Sequence, residues 1–209
     1  MTESHVVLLG EDKQAGIQVY GCESRKYGAR GLMIHHNGSW SFADYSWDRA
    51  HGQTGFAVLD SDGDGAKEFA LVLPYGQGTG VSVYQLILFQ YGADGTLMDY
   101  ALTEEMMKEQ TGRLIRVDRE QETISILRDG KIRQQIPLKD YPCYREDADQ
   151  VNVYVMDQIS FAVENGTITM TVQAGVFFGA TQITPDYIQG TGGTVSFDVR
   201  FGNGQFQIY

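Results

Sequence analysis

Four acidic side chains surround two glycines in one short segment, which we call the acidic loop (residues 60–68). It reads Asp60-Ser61-Asp62-Gly63-Asp64-Gly65-Ala66-Lys67-Glu68. Carboxylates this close repel one another, and a hard dication that takes about six to eight oxygen ligands at about 2.3–2.6 Å removes that repulsion. The acidic loop therefore predicts a Ca²⁺ site. Its expected ligands are the side chains of Asp60, Asp62, Asp64 and Glu68, the backbone carbonyl of Ala66 and a water.

The spacing differs from that of an EF-hand loop. An EF-hand has a bidentate Glu at its twelfth position, where this chain has Leu71. The flanking runs 55–59 and 69–73 are short and apolar, which indicates strands rather than amphipathic helices. Gly63 and Gly65 suit a chain that curls around an ion with positive φ angles.

The same residues also have an interpretation without metal. Asp and Gly favour tight turns between strands in the absence of any ion. Three alternating Asp residues and a Glu favour the ion instead. Its expected role is structural, because such a loop holds a hairpin together.

The DxDGDGxxE pattern between two strands resembles the calcium loops of FG-GAP and VCBS-type repeats, known from integrin propellers and bacterial surface proteins. Those loops usually carry Asp at the ninth position, where this chain has Glu68. The run from Phe56 to Phe89, and Tyr187-Ile188-Gln189-Gly190 before the last hairpin, are similar to uncharacterised secreted or lipoprotein domains of Gram-positive bacteria. The resemblance implies an extracellular location and ion binding, and no enzymatic activity is assigned to that family.

Length and charge narrow the classes of protein. With 209 residues the chain is long enough for a sizeable core, and we expect a single β-rich domain over residues 1–209. The net charge of −11 repels phosphate backbones, so nucleic acid is a disfavoured partner. No window approaches the roughly 18 consecutive apolar residues of a membrane span, so no transmembrane segment is expected.

The expected location follows from the ion. The amino end lacks a basic region followed by a long apolar core, so the chain as given shows no export signal and is expected to be soluble. Calcium at millimolar levels is available outside cells. We therefore expect an extracellular or cell-surface-anchored protein whose signal peptide or lipobox was removed, with Met1 added. Cys22 and Cys143 are too few for a disulfide framework, and both one long-range bridge and two reduced, buried thiols stay open.

Strand signals dominate the chain. Short runs rich in branched and aromatic residues predict six strands before residue 92, at 17–20, 31–34, 40–42, 56–59, 69–73 and 83–89. Later, Asp129-Gly130, Asn165-Gly166 and Gly202-Asn203-Gly204 predict tight hairpin turns with positive φ angles. In the last hairpin the apolar residues at 195, 197, 199 and 201 alternate with polar ones, which predicts a sheet with one wet side.

One segment, 103–110, predicts a short helix. Thr103 can cap its first turn, early acids suit the positive end of the helix dipole, and Gly112 can end it. The polar segment 139–150 predicts a long surface loop or an internal boundary.

Glycines that follow Asp or Asn recur at 95, 130, 166 and 204, a spacing close to that of propeller blades. A small, irregular propeller-like β fold is therefore the alternative fold. Only one turn of the chain carries the full acidic set, however, and the flanking residues do not match. The expected fold is mainly β, an antiparallel sandwich or partly open barrel with one short helix.

A candidate ligand surface follows from rings and glycines, with Trp40, Tyr45, Trp47, Gly78 and Thr79 as its expected residues. Trp and Tyr can stack on sugar faces while their polar atoms stay hydrated. Strand alternation directs Trp40 and Phe42 to one face and Ala43 and Tyr45 to the other. The alternative is that most of these rings pack in the core.

Two other motifs are weaker candidates, one for a transition-metal site and one for a phosphate site. His35 and His36 are adjacent in a strand, so they point to opposite faces and do not chelate one metal together. Gly76-Gln77-Gly78-Thr79-Gly80 looks like a phosphate cradle, but no Lys-Ser/Thr follows and the next segment is a strand. We expect a flexible hairpin loop beside the acidic loop, held in one shape by the ion.

The sequence shows no catalytic signature of the nucleophile-elbow, zinc-helix or Cys–His type. Carboxylate pairs for glycoside hydrolysis are spatial rather than sequential, so they leave no motif. The sequence therefore predicts a calcium-stabilised, non-enzymatic module outside the cell that binds a glycan, a peptide or a cell-envelope component. The alternative is a secreted hydrolase of polysaccharide or peptide, which should show a deep cleft with two convergent acids away from the acidic loop.

Overall fold

Three β-sheets make up most of the protein. The computed structural model describes residues 4–24, 28–47, 53–78, 81–146, 150–179, 184–188 and 193–209. Within these residues the fold is mainly β with one α-helix, and its sheets have four, nine and three strands, one of them curled. The predicted class, a sandwich or partly open barrel, is confirmed. A continuous nine-stranded sheet is not a ring of separate small blades, so the propeller-like alternative does not describe the fold.

The described residues form sixteen strands, one α-helix and a 3-10 helix. In chain order they are β1 (Ser4–Asp12), β2 (Ile17–Ser24), β3 (Gly28–His36), β4 (Ser39–Trp47), β5 (Gly55–Leu59), β6 (Glu68–Gly78), β7 (Val81–Tyr91), β8 (Leu97–Leu102), α1 (Glu104–Leu114), β9 (Ile115–Asp118), β10 (Thr123–Arg128), β11 (Lys131–Pro137), a 3-10 helix (Leu138–Asp140), β12 (Val151–Glu164), β13 (Thr167–Phe178), β14 (Asp186–Tyr187), β15 (Thr194–Gly202) and β16 (Gln205–Ile208).

The four-stranded sheet is an antiparallel meander in the order β1-β2-β3-β4. Its first strand, β1, was not predicted from the sequence. A register shift between Leu8 and Gly10 interrupts the pairing with β2, and such a bulge breaks the alternation that identifies a strand. The turn between β3 and β4, Asn37-Gly38, has φ angles of 49° and 81°.

The nine-stranded sheet has the path β16-β15-β13-β12-β7-β6-β5, with β14 beside β13 and β8 beside β7. Its two halves join where β12 runs parallel to the start of β7, through Gln158 opposite Ser82 and Ile159 opposite Val83. The predicted hairpin turns are confirmed by φ angles of 50° and 70° at Asp129-Gly130, 51° and 77° at Asn165-Gly166, and 52° and 74° at Asn203-Gly204. The apolar face of β15 is also confirmed, since Val195, Phe197, Val199 and Phe201 are all buried.

The helix begins as predicted but ends later. The Thr103 side chain accepts a hydrogen bond from the Met106 N–H, and the helix continues through Gly112 to Leu114. A glycine inside a helix costs about 1 kcal/mol relative to alanine, which the burial of Met107 and Thr111 outweighs. Among the described residues no helix is long and apolar enough to cross a membrane.

Two hydrophobic clusters lie on opposite faces of β6 and β7. Phe69, Leu71 and Leu73 pack under the four-stranded sheet, whereas Ala70 and Val72, on the other face of β6, join the larger cluster with α1, β10 and the β13–β16 strands. Both faces of β6 are therefore buried, which explains its continuous apolar run.

The predicted boundary segment 139–150 is described up to residue 146 and again at residue 150. Tyr141 is buried in the larger cluster and Tyr144 packs against it, so this part is anchored to the core. The two cysteines are free, with Cys22 partly exposed and Cys143 exposed. Of the two alternatives that the sequence left open, the bridge is therefore not formed and the thiols are reduced, although neither of them is buried.

Candidate functional site

The acidic loop connects β5 to β6 at one end of the nine-stranded sheet. The two strands pair in antiparallel fashion, and Leu59 lies opposite Glu68 at the base of the loop. Gly63 and Gly65 have φ angles of 78° and 89°, as the sequence predicts. No atom lies within 4 Å of a Cβ added to either glycine. The left-handed backbone, and not lack of space, is therefore what requires glycine here.

Three of the four predicted acidic ligands converge. Asp60, Asp62 and Glu68 each place one carboxylate oxygen so that these oxygens all lie within 4.8 Å of one another. Glu68 is fully buried, whereas Asp62 is exposed. The cluster therefore has a buried base and a side that is open to solvent.

Asp64 and Ala66, the other two predicted ligands, interact with each other in this structure. The Ala66 N–H donates to Asp64 Oδ1 at 2.6 Å, and Asp64 lies outside the group of three carboxylates. The loop therefore presents part of the predicted ligand set, and Asp64 must reorient before it can join the rest.

Backbone N–H groups hold the first acid of the loop in place. Asp60 accepts hydrogen bonds from the Gly63 N–H at 2.8 Å and from the Gly65 N–H at 3.2 Å. Asp62 accepts one from the Asp64 N–H at 3.1 Å. The loop is thus wrapped around its own carboxylates.

Neutral donors also hold the buried acid. Glu68 Oε2 accepts from both the N–H and the hydroxyl of Ser61, each at 2.7 Å, and Gln90 Nε2 lies 3.5 Å from Oε1. Within the described part of the chain, no salt bridge joins an acid of the loop to a basic side chain. A carboxylate removed from water without a cation is costly, and Asp60, Asp62 and Glu68 form a group that could hold a metal ion.

The glycine-rich segment does not lie beside the acidic loop. Residues 76–78 belong to β6 and pair with Val83, Ser82 and Val81 of β7. Because a strand rises about 3.3 Å per residue, Gly78 is roughly 30 Å from Glu68 at the other end of β6. The prediction that this segment lies beside the acidic loop and is held in shape by the ion is therefore wrong. Glycines do not prevent strand pairing, so residues 76–78 continue β6 away from the acidic loop. Gly78 is exposed, and Thr79 lies outside the described residues.

The predicted ring surface divides between two faces of β4. Trp40 is 50% exposed. Trp47 is 4% exposed, in the cluster under the four-stranded sheet, and its ring covers Gly21, where an added Cβ would lie 2.2 Å from a ring carbon. Trp47 is therefore a core residue and not part of a ligand surface.

Tyr45 also points inward and is half-buried. Its hydroxyl donates a hydrogen bond to Asp99 of β8, and its ring meets that of Phe89 edge to face at 6.1 Å. Burial, followed by the bond to Asp99, raises the pKa of Tyr45 well above its usual value. This contact ties the four-stranded sheet to the nine-stranded one.

His35 and His36 point to opposite faces, as alternation predicts. The His35 ring lies 4.8 Å from the Trp40 ring, and the His36 ring stacks on Tyr91 at 4.4 Å. Burial, with a smaller effect from His35, lowers the pKa of His36. The pair does not chelate one metal.

The exposed side of the four-stranded sheet, which we call the outer face, carries two rows of side chains, of which the sequence indicated only Trp40 and Phe42. Leu8, Tyr20, Met33 and Phe42 lie opposite one another across β1 to β4. A second row beside it contains Glu11, Gln18, His35 and Trp40. The Asn37-Gly38 turn could have predicted part of this arrangement, since a two-residue hairpin turn sets the register that places His35 opposite Trp40.

Two of the surface cavities among the described residues bear on the hydrolase alternative. One, of about 250 Å³, lies beside the acidic loop and is lined by Leu59, Ser61, Thr167, Asp198 and Arg200, among others; its acid, Asp198, is ion-paired with Arg128. The other, of about 200 Å³, lies where α1 begins, and its acid, Glu104, pairs with Lys108 at 2.6 Å. Neither cavity presents two convergent acids.

No family model, curated protein or solved structure matches this chain. Its function is therefore inferred from the geometry of its own residues.

Proposed function

We propose that the protein is a calcium-stabilised, non-enzymatic binding module that works outside the cell or at its surface, with Ca²⁺ held by the acidic loop. The observation that carries this proposal is the convergence of the buried Glu68 carboxylate with Asp60 and Asp62. Their described hydrogen-bond donors are neutral. A dication that prefers carboxylate and carbonyl oxygens fits such a cluster.

The proposed ligand set is the one that the sequence predicts. Asp60, Asp62 and Glu68 already converge. Asp64 joins them when its carboxylate turns away from the Ala66 N–H, and the Ala66 carbonyl and water complete the shell. The order of these residues is that of FG-GAP and VCBS-type loops, and membership of such a secreted family is part of the proposal.

The ion has a mechanical role in this proposal. It joins the end of β5 to the start of β6, and these strands carry Phe56 and Phe69, whose rings lie 6.1 Å apart under the four-stranded sheet. Calcium therefore stabilises the layer on which the outer face rests. Because calcium is abundant outside cells, the extracellular location belongs to the same proposal.

A binding role rather than catalysis is favoured by the shape of the surface. The two cavities each offer an acid that is already ion-paired, whereas the outer face is broad, ring-bearing and exposed. A glycan, a peptide or another cell-envelope component is the class of partner that we propose.

Thermal unfolding in chelator, in calcium and in magnesium tests the proposal. A ligand that binds only the folded state stabilises it by RT ln(1 + [L]/Kd), about 2.7 kcal/mol at a hundredfold excess over Kd. We expect calcium to raise the melting temperature and magnesium to raise it less, because the smaller ion requires a stricter octahedral shell. An identical midpoint in all three conditions contradicts the proposal.

A further inference from the structure

The outer face combines apolar and polar rows in a pattern that specifies a ligand chemistry. In the first row Leu8, Tyr20, Met33 and Phe42 are in register across four strands. Leu8 is 49% exposed and Phe42 is 72% exposed. Adjacent strands lie about 4.8 Å apart, so this row is roughly 14 Å long, which matches a short run of sugar rings.

The second row supplies rings and hydrogen-bonding groups. The Trp40 ring is 50% exposed and is tilted against two neighbours, the His35 ring at 4.8 Å and the Tyr20 ring at 5.7 Å. Gln18 Nε2 donates to Glu11 Oε1 at 2.8 Å at the far end of the row. Imidazole, amide and carboxylate groups thus lie beside exposed rings, so donors and acceptors are available next to an apolar strip.

A pyranose has the complementary pattern, with C–H groups on its ring faces and hydroxyls around its edge. Trp and Tyr suit such a ligand, since they offer an apolar ring face and a polar atom at the rim. A shallow platform of this kind binds a chain along its length rather than enclosing one small molecule.

Charge identifies which ligands fit this platform. Asp44 is exposed near one end of the platform, and near the other end Glu11, whose side chain is 29% exposed, forms a long ion pair of 4.0 Å with Lys13. The whole chain carries a net charge of −11. Like charges therefore oppose a second copy of the chain, an acidic polysaccharide and an anionic lipid surface, whereas a neutral glycan meets no such penalty.

We propose that the outer face is a carbohydrate platform that binds neutral polysaccharide, with Trp40, Phe42 and Tyr20 stacking on sugar rings and His35 and Gln18 bonding to hydroxyls. This inference deepens the proposed binding function and rests on it. The acidic loop contributes stability to the layer and no direct contact to the sugar.

Affinity gel electrophoresis in calcium tests the inference with defined probes. The gels contain a soluble β-1,4-glucan, a β-1,4-xylan, an α-1,4-glucan or a mannan, and a polygalacturonate serves as the acidic counterpart. We expect at least one neutral polymer to retard the protein and polygalacturonate not to. Trp40→Ala should weaken the retardation roughly five- to tenfold, since a stacked ring contributes on this scale.

Tyr154→Ala is the matched control, because Tyr154 is an exposed aromatic on β12, in the other large sheet. It should bind as the parent does. The inference is overturned if none of the neutral polymers retards the parent, if Trp40→Ala binds as the parent does, or if Trp40→Ala instead abolishes dimer formation or binding to phosphatidylcholine vesicles.

Failure of the carbohydrate platform can be separated from failure of the calcium proposal. Trp40 is exposed on β4 and lies on neither of the strands that flank the acidic loop, so Trp40→Ala should keep the full calcium-dependent rise in melting temperature. A calcium-dependent rise in melting temperature without polysaccharide binding overturns the platform alone. Retardation of the parent without any effect of calcium on stability overturns the ion site alone.

Discussion

Glu68→Gln separates the charge of the buried carboxylate from its hydrogen bonds and its packing in the acidic loop. The glutamine amide has the same size, and its carbonyl oxygen can accept the two 2.7 Å hydrogen bonds from Ser61. The substitution therefore removes the charge and leaves the packing of the loop. Any large change in stability then reports electrostatics and ion binding.

The magnitude in chelator follows from the carboxylate separations. Unit charges 4.8 Å apart, the upper limit within this cluster, repel by roughly 3 kcal/mol at an effective dielectric constant of about 20. Exposure of Asp62 and the stronger hydrogen bonds of a carboxylate reduce the net gain. We expect Glu68→Gln to be more stable than the parent in chelator by about 1–2 kcal/mol.

Calcium should stabilise the parent more than it stabilises Glu68→Gln. At a hundredfold excess over Kd the parent gains about 2.7 kcal/mol, which for a chain of this size corresponds to a rise of about 5–10 °C in melting temperature. Glu68→Gln lacks a charged ligand and should rise by less than about 2 °C. Differential scanning fluorimetry with calcium and with chelator measures both values.

Glu164→Gln is the matched control, because Glu164 is exposed at the end of β12. It should keep the calcium response of the parent. The reasoning is refuted if Glu68→Gln melts below the parent in chelator, or if it keeps the whole calcium-dependent rise.

Three further predictions concern the fold. Gly21→Ala places a methyl group 2.2 Å from a ring carbon of Trp47 and should lower stability by about 1–3 kcal/mol through overpacking; an unchanged urea midpoint contradicts the packing described. Gly112→Ala lies inside α1 with no atom within 4 Å of the new Cβ and should raise stability by about 0.5–1 kcal/mol, so a loss would show that α1 ends before it. Because the pKa of Tyr45 is raised in the folded state, the unfolded chain loses this proton first as the pH rises above about 10, and stability falls there. Tyr45→Phe should show a shallower alkaline decline in urea melts, and an identical slope contradicts burial of this hydroxyl.

Local signals in the sequence predicted local features well. The Asn-Gly and Asp-Gly turns, the cap at Thr103 and the apolar alternation of β15 each depend on a few neighbouring residues, and the structure has all of them. The positive φ angles of the acidic loop belong to the same class. Such features are specified by backbone conformation and side-chain periodicity alone.

Long-range arrangement could not be read in the same way. The parallel contact of β12 with β7 joins segments about 75 residues apart, and no turn specifies it. The distance between Gly78 and Glu68 depends on the length of β6. The glycines at 76 and 78 favoured a loop in the sequence, although they belong to that strand. Trp40 and Trp47 were both candidates for the ligand surface, and only the packing of Trp47 over Gly21 shows that Trp47 is buried.

The candidate site was predictable in part. Asp60, Asp62 and Glu68 converge as the spacing implies, but the bond between Asp64 and the Ala66 N–H depends on the detailed path of the loop. Only Trp40 and Phe42 of the outer face were identified from the sequence, because the face combines residues from four strands, and each strand alone contributes only one or two exposed rings or apolar groups.

A crystal structure of the protein grown in excess calcium, with anomalous data, would show whether the acidic loop binds the ion. We expect one anomalous peak in the acidic loop, about 2.3–2.6 Å from carboxylate oxygens of Asp60, Asp62 and Glu68. Well-ordered density in which these oxygens are bridged only by water, or by the Lys67 ammonium group, would contradict it.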